Sequence, residues 1–135
     1  MTPGRITFVT DTAADESLAE ALREHEFDVF IETKPSVADS RLLASSDLLI
    51  FDMLDALAAI ELLRKVRSSP TSKSTPVIVI AEWGTGQATL ALSQGADAFE
   101  RKPIDASRLL RAVENLLRPN KVMTAKASGL SRDEE

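Results

Sequence analysis

The sequence predicts a three-layer α/β domain on a five-stranded parallel sheet, and three observations carry that prediction. Short apolar runs alternate with longer stretches whose apolar residues recur at helical spacing. Three of the runs are almost continuously apolar, which suits strands covered by helices on both faces. The strand-plus-helix unit recurs five times, and parallel neighbours require helical crossovers of right-handed sense. A chain of 135 residues with 44% hydrophobic content is enough to fill one such core.

The strands are predicted at residues 6–9, 27–31, 48–51, 77–81 and 96–99. Leu18 and Leu22 bracket a first helix before Phe27, and Thr12 and Asp15 have capping-box spacing ahead of it. Ser36 and Asp39 repeat that spacing for a second. In the third, Leu57, Ile60, Leu63 and Val66 form one stripe while Glu61 and Lys65 can pair on the outer side. The segment 68–75, rich in Ser and Thr, reads as a solvated connection. A fourth helix over about 87–94 ends at Gly95, a left-handed cap. A fifth runs over about 106–118, with Pro119 just beyond. The strand order expected for these units is 2-1-3-4-5, the flavodoxin-like arrangement.

Composition narrows the chemistry. Sixteen bases against 21 acids leave a net charge of −5, so there is no basic footprint for nucleic acid or for an anionic membrane. The absence of cysteine excludes a disulfide scaffold, a thiolate zinc site and a cysteine nucleophile, and His25 is the only histidine. No apolar run approaches the roughly 18 residues that span a bilayer. The first residues lack the pattern of a secretory signal, and a cytoplasmic location is expected.

In an open α/β sheet the functional crevice lies outside the carboxyl ends of the strands, where the strand order reverses. The residues ending the predicted strands are Thr10 and Asp11, Asp52, Ala81 and Glu82, and Lys102. Two carboxylates and one ammonium brought together from distant positions form a small polar pocket. Magnesium prefers oxygen ligands and is usually held through one or two carboxylates, a role open to Asp11 and Asp52. Taken singly, each aspartate also reads as a solvated strand end or helix cap. Gly84, Thr85 and Gly86 form a short turn without the third glycine of a dinucleotide fingerprint or a Walker lysine, and read as a flexible loop feeding the fourth helix.

With these residues in order, the chain resembles the receiver domain of bacterial response regulators over roughly residues 5–118. ITFVTD (6–11) resembles the first strand with its acidic end, and DLLIFD (47–52) the third strand ending in the phosphoacceptor. ELLRKVR (61–67), TPVIVI (75–80), QGADAF (94–99) and the Lys102, Pro103 dipeptide complete the likeness. The resemblance implies that Asp52 accepts a phosphoryl group from a histidine kinase or small phosphodonor. It further implies that Asp11, Asp52 and the backbone carbonyl of Leu54 hold magnesium, and that Lys102 contacts a phosphoryl oxygen. Ala81 and Phe99 occupy the switch positions.

Three departures set the expectation of an atypical member. Thr10 stands where the family has a second acid, so magnesium is expected to be held weakly. Ala81 stands where the family has a hydroxyl, which removes a hydrogen bond to a charged group worth about 1.5–3 kcal/mol. The loop after Asp52 (MLDALAAI) is one residue short and lacks the usual Pro and Gly. Asp55 reads as the N-cap of the third helix, Glu82 as a solvated loop acid and His25 as a surface residue at the end of the first helix.

The expected function is two-component signal transduction by partner binding, with phosphorylation at Asp52 impaired. The alternatives are a phosphorylation-independent interaction module and, with less support, a flavodoxin-like cofactor binder. Beyond autophosphorylation no enzymatic activity is expected. The expected partner is a histidine kinase or other signalling protein. It would meet the face of the fourth helix, fifth strand and fifth helix, where Arg108 and Arg111 suit an acidic surface, and the same face would support a monomer or weak homodimer. Residues 1–118 are expected to form the receiver-like domain, and 119–135 a polar tail or linker remnant with no output domain.

Overall fold

A computed structural model describes residues 4–11, 16–33, 45–82 and 84–117. The five strands are β1 (Arg5–Thr10), β2 (Asp28–Glu32), β3 (Leu48–Asp52), β4 (Val77–Ala81) and β5 (Ala98–Arg101). They form one parallel sheet in the order β2-β1-β3-β4-β5, as predicted. The described helices are α1 (Glu16–Glu24), α2 (Ala56–Ser68), α3 (Thr85–Ser93) and α4 (Ala106–Leu117). They correspond to the first, third, fourth and fifth helices predicted. The predicted second helix, the Thr12 and Asp15 capping box and the tail 119–135 lie outside the described residues.

Alternation along buried strands builds two cores, one on each face of the sheet. Leu49, Phe51, Val77, Val79 and Ala81 point to the face covered by Leu62, Leu63 and Val66 of α2 and Ala91 of α3. Leu48, Ile50, Ile78 and Ile80 point to the other, covered by Leu18 and Leu22 of α1 and Leu109 and Val113 of α4. Every residue of β3 and β4 is buried, which explains why those runs show no polar alternation.

Four expectations need correction. Leu57 does not belong to the buried stripe: it is 72% exposed, and α2 buries Ala59, Ile60, Leu62, Leu63 and Val66 instead. Thr85 and Gly86 open α3 rather than forming a loop ahead of it, and the Gly84 N–H donates to Gln87 Oε1 at the helix start (3.2 Å). The fifth strand begins at Ala98, because the Asp97 N–H and side chain are both occupied in tying its entrance to Val77. The segment after α2 is only partly solvated, since Ser72 is buried and its hydroxyl donates to the Val66 carbonyl (2.8 Å).

That segment is organised by Arg67. Its guanidinium donates to the carbonyls of Lys73 (3.1 Å), Thr75 (2.6 Å) and Gly95 (2.7 and 3.0 Å) and to Asp97 Oδ2 (2.9 Å). Gly95 has φ +118°, and a Cβ there would lie 2.8 Å from Arg67 Cγ. The glycine therefore supplies both the left-handed helix end and the space for the arginine.

Asp105 caps α4, accepting from the Arg108 N–H and the Ser107 hydroxyl, both at 2.8 Å. These bonds favour the ionised carboxylate and hold its pKa below the ordinary aspartate value, the Arg108 amide contributing most. A depressed folded-state pKa stabilises the fold above the unfolded value, and that contribution fades as pH falls through the folded one. Acid titrations followed by circular dichroism are therefore expected to show Asp105→Ala less sensitive than the natural chain to acidification below the ordinary aspartate range.

Candidate functional site

The strand order reverses between β1 and β3, and their carboxyl ends carry Thr10 opposite Asp52 in the parallel register. Asp52 is also aligned with Ile80 of β4, so its carboxylate rises from the middle of the sheet, with 3% of the side chain exposed. Lys102 follows β5 directly. Its backbone N–H donates to the Ala81 carbonyl (3.0 Å), and the Lys102–Pro103 peptide is cis. From there its ammonium reaches back across β4 to lie 2.6 Å from Asp52 Oδ1. The contact falls outside hydrogen-bonding angles, so that oxygen is neutralised in charge without accepting an aligned bond.

Asp11 arrives from β1 and turns to the loop joining β3 to α2. Its Oδ1 accepts the Leu54 N–H (2.9 Å) and its Oδ2 the Asp55 N–H (2.8 Å). The Leu54 amide is thus engaged by Asp11, and the Leu54 side chain is 61% exposed. Asp55 is the N-cap of α2, accepting from Ala58 N–H at 3.2 Å, as its spacing suggested. Glu82 is exposed, and His25 is exposed in the turn after α1.

The sequence-derived site is therefore brought together in three parts. Asp52 and Lys102 are in direct contact, and Asp11 is joined to the loop two residues past Asp52. Ala81 meets the group through its carbonyl, while its methyl is buried under α2 and α3. Phe99 is half-buried against that same cluster. Among the described residues no three His, Cys, Asp or Glu side chains converge. The remaining donors, two carboxylates and a loop carbonyl, still suit a hard cation that keeps most of its waters.

On the opposite face of β5, a groove is lined by Ala98, Glu100, Arg108, Arg111 and Asn115. Arg108 Nε donates to Glu100 Oε1 at 2.7 Å, and this bond raises the arginine's pKa above its ordinary value. Arg108 is thus already paired within the chain. The contact is not visible from sequence, which offers both arginines to an acidic partner.

No protein-family model matches the chain. It is 34% identical over 119 residues to the response regulator ArlR of Staphylococcus saprophyticus, a match covering 84% of this chain and 52% of that protein. It is 28% identical over 121 residues to hybrid signal transduction histidine kinase M of Dictyostelium discoideum, covering 83% of this chain and 5% of that one. Among solved structures it is similar to the signal receiver domain of a histidine kinase from Syntrophus aciditrophicus. There the identity is 28% and the TM-score 0.73, with 87% of this chain and 92% of the other covered. Its homologues are response regulators, and its fold is that of their receiver domains. The chain spans at most about half the length of the two curated relatives above. Receiver domains commonly bind magnesium at the phosphorylation site and interact with histidine kinases and other signalling proteins. No described helix is long and apolar enough to cross a membrane.

Proposed function

We propose that this chain is an atypical receiver of two-component signalling that relays its signal through partner binding and accepts a phosphoryl group at Asp52 with reduced efficiency. The observation that carries the reading is the Asp52–Lys102 pair at the sheet's switch point, a nearly buried nucleophilic carboxylate with a cation 2.6 Å away. In this reaction a carboxylate oxygen of Asp52 attacks the donor's phosphorus. The bond to the donor's leaving group breaks, and Lys102 moves from the carboxylate to a phosphoryl oxygen. Such transfer depends on positioning and charge neutralisation more than on covalent chemistry by the protein. Magnesium, when bound by Asp11, Asp52 and the Leu54 carbonyl, supplies further positive charge to those oxygens.

Two features support impairment. Thr10 brings no charge to the metal side of the pocket, and Ala81 has no hydroxyl for the phosphoryl group. The second reading, a phosphorylation-independent interaction module, is favoured by a pocket whose charges are already satisfied: Lys102 neutralises Asp52, and Asp11 is engaged with loop amides.

The partner surface we favour is α3, β5 and α4. Leu90 and Leu92 are 41% and 47% exposed on α3, and on the other face of β5 Arg111 lines the groove along α4. Because Arg108 is paired with Glu100, the acidic-partner reading rests mainly on Arg111. A kinase or other signalling protein as partner, a monomer or weak dimer through this face, and a cytoplasmic setting belong to the same proposal. So does a domain boundary near residue 118 with a polar segment after it.

Incubation with magnesium and acetyl phosphate, followed by intact mass measurement, tests the proposal. The natural chain is expected to gain one phosphoryl group slowly, and Asp52→Asn none. No gain in the natural chain, with partner binding retained in Asp52→Asn, would establish the second reading instead.

A further inference from the structure

The Asp11 carboxylate invites a reading as a ligand waiting for a cation, yet both of its oxygens are already used. They accept the consecutive amides of Leu54 and Asp55 at 2.9 and 2.8 Å, across 43 and 44 residues of chain. These amides immediately precede α2, where the unsatisfied N–H groups and the helix dipole favour a negative charge. MLDALAAI contains neither proline nor glycine to restrict the loop locally; Met53 anchors its start in the core, and the next two residues turn their amides to Asp11. Asp55, the residue next to be fixed, is itself spent on capping the helix. One carboxylate from β1 thus sets the exit of the chain from the phosphoacceptor strand.

We propose that Asp11 is a positioning residue: in the metal-free protein its carboxylate clamps the loop that follows Asp52 and fixes the start of α2. The proposal takes from the functional reading only the identity of the pocket. It assigns opposite signs to two roles that a single aspartate can play. A carboxylate kept only for a cation repels its acidic neighbour while the cation is absent, so removing it stabilises the metal-free fold. A clamp does the reverse.

The experiment is amide hydrogen exchange with EDTA present on the natural chain, Asp11→Ala and Asp11→Asn, read residue by residue by NMR. In Asp11→Ala the Leu54 and Asp55 amides are expected to exchange about ten- to a hundredfold faster, the loss of one hydrogen bond to a charged acceptor at each. Ile78 and Val79, in the centre of β4, act as internal controls and should change far less. Asp11→Asn keeps one acceptor oxygen and should retain protection at one of the two amides. A lower thermal midpoint for both variants in EDTA supports the clamp. Unchanged exchange at Leu54 and Asp55, or a midpoint that rises on removing the carboxylate, overturns it. Should Asp11→Ala not fold, Asp11→Asn decides by the same criteria. No phosphodonor is present, so a failure of phosphorylation at Asp52 leaves this test intact, and a failure of the clamp leaves the mass assay intact.

Discussion

Arg67→Ala is expected to destabilise the domain by about 2–4 kcal/mol, a large share of the roughly 5–15 kcal/mol that holds a domain of this size together. The guanidinium joins the end of α2 to the segment after it, to the end of α3 and to the entrance of β5, through three carbonyls and one carboxylate. Its removal leaves part-buried carbonyls at Thr75 and Gly95 without a donor, which costs more than the bonds themselves. Arg67→Lys should recover only part of the loss, because an ammonium cannot reproduce the planar fork that serves Gly95 and Thr75 at once. Urea unfolding followed by far-ultraviolet circular dichroism measures this as a lowered midpoint at unchanged slope. A loss below about 0.5 kcal/mol, the range of ordinary surface substitutions, would mean that the segment is held by other contacts. Phosphoryl uptake by the folded fraction should not change. Arg67 works at the entrance ends of β4 and β5, whereas Asp52 and Lys102 stand at the carboxyl ends.

The contrast between Arg67 and the pocket shows which physical signals a single sequence carries. The strands could be read because burial on both faces removes polar residues from β3 and β4 altogether, and the crossover rules then restrict the order in which they assemble. The pocket followed from the topology, since residues at strand ends near the reversal must converge, and Asp52 and Lys102 do. Arg67 left no such trace. A basic residue in the last turn of a helix has a sufficient local reason in the helix dipole, and its actual acceptors lie in three other segments. Gly95 is legible as a left-handed cap, but nothing local in the sequence shows that it also makes room for a side chain from α2.

Leu57 failed for a different reason. At 3.6 residues per turn it lies about 160° around the helix from Ala59, although its spacing to Ile60 fits a stripe. The buried face is set by Ala59, Leu62, Leu63 and Val66, with Ile60 at its margin, and a row counted only in steps of three drifts off it. Asp11 is the subtler case. Its place at the end of β1 is legible, but backbone amides carry no sequence signature, so what its oxygens bind is not.

Lys102→Met should expose the dependence of the pocket on one cation. Asp52 is nearly buried, and the lysine keeps about a quarter of its side chain in solvent (26% against 3% for Asp52), so the pair is screened less than a surface ion pair. Removing the lysine leaves a buried carboxylate without its counter-charge, which for a fully buried pair costs about 3–5 kcal/mol; the partial exposure here brings the expected loss to about 2–3 kcal/mol. The neutral double variant, Asp52→Asn with Lys102→Met, removes the charge along with its partner and should regain most of that stability. A coupling energy of about 1–2 kcal/mol in the double-mutant cycle is the expected signature. In the mass assay, Lys102→Met should lose phosphoryl uptake even in its folded fraction, because the developing charge on the phosphoryl oxygens then lacks its only protein cation in the described pocket. Two results would break the link between this pair and the proposed chemistry. One is a single variant as stable as the natural chain, which would mean that the contact contributes nothing in solution. The other is undiminished uptake at Asp52, which would mean that a different group supplies the charge.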